Sequence, residues 1–478
     1  MPASTIVDPS DAFLLPATSV RSLDEYLATD WGGLGLARAN ELGPERTIAE
    51  VLRAGLRGRG GGGFPTGRKW EGVRAQPGTH RYVVANGAEG EPGTFKDRAI
   101  LRANPYQVVE GVMVAALAVG AVEAYIALKA SFTEEIERVT RAVQEMQSVG
   151  LCEGCSIAIV GGPDEYLYGE ETALLEVVEG KEPLPRVLRP FEHGLFATAP
   201  QLGWQPTEVE PGHSGRHESN PTLVNNVETL ANVAPLLARG ADWFRSTGTA
   251  ESPGHVVCTI VGDVRHAGVA EIELGTPLHD AIEEIGGGPP AGRHVKAVFS
   301  GVANAVVSGP LLRTPIAYET MAAIDSGMGA AGFIVVDDSA CMVDVARVIS
   351  RFLYVESCGQ CPPCKRGSGE ITALLERIEA GEADLDHVEE IGSWLRKVTD
   401  GNRCYLAVEE QVVVSSILRA FPDEIDAHLD GRGCPRPRRF VLPKLVDVRD
   451  GAAVHDTRQA RKRPDWTYDD SETARVPI

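Results

Sequence analysis

The sequence predicts an α/β protein: a Rossmann-like domain with a parallel sheet, a small β-grasp domain and a C-terminal four-helix bundle. Three observations carry the prediction. Between Arg81 and Gly161 the hydrophobic period switches back and forth between strand and helix, in the order β-α-β-α-β. From His255 to Ile285 two strand-like runs precede one amphipathic helical stretch. From Asp338 to Leu429 the period is helical throughout. These blocks divide the chain into an extension (1–45), an α/β domain (46–245), a β-grasp domain (246–335), a bundle (336–430) and a basic tail (431–478).

Within the first block, Arg81–Asn86, Ala124–Leu128 and Ser156–Gly161 read as strands, and Asn104–Val119 and Thr133–Gln147 as helices. Such an order implies a parallel sheet with helices on both faces, and ligands bind where loops leave the carboxyl ends of its strands. Two of those loops are polar, Asn86–Asp97 and Gly162–Thr172. The second runs into a helix over Thr172–Val178, whose amino end suits a phosphate. Its carboxylates can bond ribose or ribityl hydroxyls; Glu170 equally reads as a helix cap.

Upstream, Ser22–Thr29 and Thr47–Leu56 read as short helices, and the second ends in a glycine run, Gly55 to Trp70. The run contains G-x-G-x-x-G but follows a helix, so the dinucleotide fingerprint does not apply. Arg68 after Gly67 excludes a Walker A loop. What remains is a backbone free to bring N–H groups to a phosphate, with Arg59 and Lys69 adding charge.

The bundle predicted over Ala340–Ser357, Lys365–Ala380, Leu385–Thr399 and Glu409–Phe421 places Cys358, Cys361 and Cys364 in its first connection and Cys404 in its third. A C-x-x-C-x-x-C triplet answered by one distant cysteine is the pattern of a [4Fe–4S] cluster; zinc, the competitor, more often uses two pairs. The other cysteines read as structural: Cys152 and Cys155 have no second pair at a matching spacing, and Cys258 and Cys341 lie in apolar runs.

Composition sets the surroundings. A net charge of −21 argues against nucleic acid and anionic membrane surfaces as partners. The start of the chain lacks signal-peptide features, and its longest apolar run, near Gly111–Val122, is too short to span a bilayer. With nine cysteines and a cluster pattern, the expectation is a reducing, cytoplasmic setting without direct membrane insertion. The tail from Gly431, with Cys434, reads as a docking or disordered segment.

Arg57–Gly67, Glu89–Arg98, Tyr168–Glu176, Val224–Leu230 and the cysteine set, in this order, resemble the NADH-oxidising flavoprotein (51 kDa-type) subunit of respiratory complex I. The same module is the diaphorase subunit of NAD-linked formate dehydrogenases and hydrogenases. The resemblance spans roughly residues 45–430 and implies FMN, NAD(H) and one [4Fe–4S] cluster, with an SLBB-type β-grasp domain. It further implies a multisubunit complex, with a thioredoxin-like [2Fe–2S] subunit and further Fe–S subunits as partners, through which any approach to a membrane would be made.

Carried over by residue, the resemblance puts Gly58, Arg59, Gly60, Gly61 and Lys69 at the FMN phosphate and flavin edge. Asn86, Glu89, Tyr166, Gly169, Glu170, Asn225, Asn226 and Thr229 would line the flavin pocket. Phe64, Glu91, Glu171 and Phe191 would meet the nicotinamide nucleotide; Glu91 and Glu171 there, with Glu89 of the flavin pocket, are the candidate catalytic residues. Cys358, Cys361, Cys364 and Cys404 would hold the cluster. Four departures stand out: Ala88 for an acidic residue, Gly72 for an aromatic one, Leu188 for a lysine with Arg189 beside it, and an insert over Gln201–Ser219. The insert, with Trp204, His213 and His217, reads as a polar surface loop. These departures motivate an alternative, a flavin and iron–sulfur relay without nucleotide chemistry.

Overall fold

A computed structural model describes residues 6–8, 11–78, 80–198, 218–430 and 438–469. The insert at 201–217 and Cys434 lie outside the described residues. Four strands, β1 (Tyr82–Gly87), β2 (Glu123–Lys129), β3 (Ser156–Gly162) and β4 (Thr222–Asn226), form a wholly parallel sheet in the order β3-β2-β1-β4. Alternation along β1 decides what each face buries. Val83 and Ala85 join the core under helix Pro105–Val119, while Tyr82 and Val84 join the opposite one, with Leu174 and Leu175 of helix Glu171–Val178.

The expected helix from Asn104 starts at Pro105, because Asn104 caps it by accepting from the N–H of Gln107 (3.3 Å) and Pro105 fills the first turn. A separate helix, Lys96–Ala103, precedes it. After β4 the chain forms two helices, Val227–Ala231 and Val233–Arg239, separated at Asn232.

A mixed sheet follows. Strands β5 (His255–Gly262) and β6 (Gly268–Glu273) form the expected hairpin, and helix Leu278–Gly286 packs on it. Three further strands, β7 (Val295–Ser300), β8 (Val307–Ser308) and β9 (Gly332–Asp337), complete the order β6-β5-β9-β7-β8, with β9 parallel to β5.

Helices Met342–Glu356, Pro362–Ala380, Leu385–Lys397 and Leu406–Ala420 make the bundle, with Pro422–Leu429 beyond it. Two prolines at the helix start, compatible with the first turn, bring Cys364 inside the second helix instead of the connection. The tail differs most from expectation. Residues 438–469 are ordered: strands β10 (Leu445–Arg449) and β11 (Ala452–His455) form a hairpin that closes back on its own chain. Arg98 donates to the carbonyls of Leu445 (3.0 Å) and Val446 (2.9 Å), and the N–H of Gly93 donates to that of Pro443 (2.8 Å).

Candidate functional site

Strand order reverses at β1, which is flanked by β2 on one side and β4 on the other. The crevice outside the carboxyl ends of β1 and β4 is therefore the switch point at which open sheets bind ligands. Asn86 and Asn226 face each other in register at those ends, and the Asn226 amide donates to the Asn86 carbonyl (3.3 Å). Asn86 in turn donates to the carbonyl of Gly169 (2.8 Å), joining the crevice floor to the loop after β3. Asn225 accepts from the indole N–H of buried Trp70 (2.7 Å).

The glycine run crosses this crevice as a tight loop. Gly58 N–H donates to the Phe64 carbonyl (2.8 Å), and Arg59 N–H to the Thr229 hydroxyl (2.8 Å). Gly63, at φ +59°, lies against Tyr318: an added Cβ would stand 2.4 Å from the ring. The Tyr318 hydroxyl donates to the Gly58 carbonyl (2.6 Å). Beyond Gly62 there is open space, so the loop presents bare backbone as a phosphate cradle requires. Two buried polar atoms there, Arg59 Nε and Thr66 Oγ1, have no partner among the described residues. Arg59 itself is 1% exposed and turns to the carbonyls of His255 (3.0 Å) and Pro253 (3.3 Å). Its charge thus braces the loop from below instead of standing free beside it.

Lys69 sits one turn into helix Thr66–Ala75, 2.6 Å from Glu171; Arg189 approaches the same carboxylate at 3.9 Å. Phe64 and Phe191 are exposed, at 59% and 38%. Glu170 caps helix Glu171–Val178, accepting from the N–H groups of Thr172 (2.9 Å) and Ala173 (2.8 Å). For this residue the capping alternative is realised, and burial raises its carboxyl.

The loop after β1 separates its two glutamates. Glu89 is closed off: one oxygen accepts from Asp97 N–H (3.0 Å), the other from Arg98 Nε (2.8 Å), and its side chain is 2% exposed. Both its oxygens thus help to hold the loop. Beside it Lys96 pairs with Asp97 (2.7 Å) and Glu228 (3.0 Å) and donates to Asn226 (2.9 Å), while burial pushes Asp97 up to about 6. Glu91 turns the other way, accepting from Val302 N–H (2.6 Å) and the Tyr166 hydroxyl (2.6 Å); burial raises its carboxyl.

At the end of the bundle Cys358, Cys361, Cys364 and Cys404 line one pocket, with Leu167 and Leu406 among its walls. Among the described residues no three His, Cys, Asp or Glu side chains converge as a single metal ion needs. Four thiols around a pocket instead suit a cubane, each to its own corner. Burial pushes the Cys364 thiol up to about 12 and raises Cys404 as well, so bound iron is what would hold them as thiolates. Lys365 donates to the carbonyls of Tyr354 (3.0 Å), Ser357 (2.9 Å) and Pro464 (2.6 Å), fixing the turn that carries Cys358.

Residues 51–235 match the Nuo51 FMN-binding domain, and residues 344–428 the NADH-ubiquinone oxidoreductase-F iron-sulfur binding region. An NADH-quinone oxidoreductase F subunit of Rhizobium meliloti (strain 1021) is 37% identical over 407 residues, covering 83% of this chain and 91% of that protein. The chain belongs to the family of NADH-quinone oxidoreductase F subunits. The NADP-reducing hydrogenase subunit HndC of Solidesulfovibrio fructosivorans is 35% identical over 426 residues, 87% of this chain and 82% of that one. Among solved structures, an NAD+-reducing [NiFe]-hydrogenase in the H2-reduced state matches with a TM-score of 0.73 and 30% identity. That match covers 89% of this chain and 66% of the hydrogenase chain. As a member of this family the chain is an oxidoreductase subunit that carries FMN and a [4Fe–4S] cluster.

Against this family background the departures acquire places. A Cβ at Gly72 meets nothing within 4 Å, so the missing aromatic leaves open surface. Arg189 stands near Glu171 although Leu188 replaces the lysine. Ala88 is fully buried. Sequence reasoning missed three contributors. Tyr318 and Val302 come from the β-grasp sheet region, and Glu409 comes from the bundle. Only Glu409 left a signal, an acid pair Glu409–Glu410 in an otherwise apolar helix start.

Proposed function

We propose that this chain exchanges hydride between NAD(H) and FMN and passes single electrons to its [4Fe–4S] cluster, as in NADH:quinone oxidoreductase. Bound flavin accepts a two-electron hydride and releases electrons singly; the protein's part is to position and tune. One observation carries the reading. Tyr166, on the loop of the crevice, donates its backbone N–H to Glu356 (3.1 Å) and its hydroxyl contacts Glu409 (3.0 Å), so the crevice is bonded to both segments that bear cysteines.

In this reading Gly58, Gly60, Gly61 and Lys69 hold the FMN phosphate side, and Asn86, Tyr166, Gly169, Asn225, Asn226 and Thr229 shape the flavin pocket. Glu91, Glu171, Phe64 and Phe191 meet the nucleotide, and the four cysteines hold the cluster. Lys69 and Arg189 balance Glu171 at the mouth of the crevice, where a nucleotide's phosphates need positive charge. Electrons leave to a thioredoxin-like [2Fe–2S] subunit and further Fe–S subunits. Among the described residues no helix is long and apolar enough to cross a membrane.

A second reading, a diaphorase subunit of an NAD(P)-reducing hydrogenase or formate dehydrogenase, is favoured by the likeness to HndC and to the hydrogenase structure. Anaerobic titration of the cofactor-loaded chain with NADH, then NADPH, tests both. Bleaching of the flavin band by a nucleotide supports hydride exchange and tells which one. Bleaching by dithionite alone would leave a relay without nucleotide chemistry. The partner subunits that co-purify separate the first reading from the second.

A further inference from the structure

Tyr166 has one hydroxyl proton and two carboxylate neighbours. Its oxygen lies 2.6 Å from Glu91 Oε2 and 3.0 Å from Glu409 Oε1. Glu91 belongs to the crevice and Glu409 to the first turn of helix Leu406–Ala420, five residues after Cys404. A phenol donates to one acceptor at a time. The other carboxyl group must therefore bring a proton of its own, because two bare acceptors at this distance repel.

The remaining contacts decide which group brings it. Glu91 is satisfied as an acceptor on both oxygens, by Val302 N–H and by the shorter phenol contact. Glu409 is 6% exposed, and its second oxygen has no partner among the described residues. An ionised carboxylate left so would carry a heavy desolvation cost, whereas a neutral acid leaves only a carbonyl oxygen unpaired. We propose that Glu409 is held as the neutral carboxylic acid and donates to the Tyr166 oxygen, while Tyr166 donates to an ionised Glu91. Burial, and then the charge of Glu91, push the Glu409 carboxyl well above its ordinary range, in agreement with the balance of donors and acceptors.

Glu409 is then a positioning residue. Through Tyr166 it fixes which side of the junction carries the negative charge: the nucleotide side, at Glu91, and not the helix that follows the cluster ligand Cys404. Its role toward nucleotide rests on the reading above; the proton assignment stands apart from it.

Infrared spectra of the cofactor-loaded chain at neutral pH test the assignment. The expected result is a protonated-carboxyl C=O band, shifted by exchange into D2O, that is present in wild type and missing in E409Q. In E91Q the band persists and shifts, because burial still keeps Glu409 neutral while the charged neighbour of its Tyr166 acceptor is gone. A band lost in E91Q, which would put the proton on Glu91, or a wild type minus E409Q spectrum holding only carboxylate bands, overturns the proposal. If E409Q does not load its cofactors, E91Q decides alone. A chain whose band behaves as stated but whose flavin no nucleotide bleaches keeps the proton assignment and loses the nucleotide reading.

Discussion

Replacing Lys462 with methionine should loosen the cluster end of the molecule by a predictable amount. Lys462 Nζ lies 2.8 and 3.0 Å from the two oxygens of Glu356, and neither side chain has any exposed surface. Burial would raise the Glu356 carboxyl, but the charges of Lys462 and Lys444 outweigh it and hold it below its ordinary value. Methionine keeps the volume and leaves a buried carboxylate without its nearest cation. Breaking such a pair by removing one partner costs about 3–5 kcal/mol. Glu356 keeps Gln459 (2.9 Å) and the N–H of Tyr166 (3.1 Å), so the lower end, about 3 kcal/mol, is expected here. That is roughly a hundredfold increase in opening of the segment that precedes Cys358. The assay is anaerobic transfer of cluster iron to a chelator, followed by loss of visible absorbance, with hydrogen exchange over residues 438–469 as a local control. The K462M/E356Q double variant, which removes both charges, should recover most of the loss. A K462M chain that releases iron at the wild-type rate would refute the reasoning, as would a double variant no better than the single one.

Three further outcomes are expected. C404A should lose the cluster's visible absorbance while retaining flavin, because the triplet alone leaves one corner of the cubane without a thiolate; cluster absorbance kept at the wild-type level would place Cys404 outside the cluster. G63A should weaken FMN binding at least about tenfold, since φ +59° and a ring 2.4 Å from the new Cβ both oppose it. A Y318A second change should relieve part of that loss, measured by flavin fluorescence on dilution. Glu410, buried and bonded to Ser350 (2.6 Å), has its carboxyl pushed by burial from 4.5 up to about 8. The folded chain then holds a proton that the unfolded chain releases, so stability falls as pH rises from about 4.5 to about 8, by at most about 5 kcal/mol. E410Q should flatten that slope in denaturant titrations at about pH 5 and about pH 8; parallel slopes would show that Glu410 does not carry it.

What was legible in the sequence was local. The parallel sheet was readable because Val83 and Ala85 alternate with Tyr82 and Val84 onto two different cores. The cysteine triplet was readable because its ligands lie three residues apart and need no tertiary knowledge. Strands β7 and β9 escaped because Val295–Ser300 and Gly332–Asp337 are short runs without clean alternation, as strands buried on both faces become. Glu89 was found by its motif, but its bonds to Asp97 N–H and Arg98 were not legible, because spacing does not tell which way a side chain turns. Glu409 meets Tyr166 across 243 residues, and Lys462 meets Glu356 across 106, so neither pairing leaves a periodic trace. The tail was judged by its basic composition, which does not show that Lys462 and Lys444 are buried beside acids of the same chain.

The C-terminal hairpin also puts a clock on assembly. Everything it clasps lies earlier in the chain, so during synthesis the cysteine triplet and the bundle emerge before Lys462 does. Until that residue arrives, Glu356 has no counter-charge at contact distance, and the turn leading to Cys358 lacks its bond between Lys365 and the Pro464 carbonyl. Between emergence of Cys404 and arrival of Lys462 and Pro464, the segment leading to Cys358 therefore lacks both of these ties.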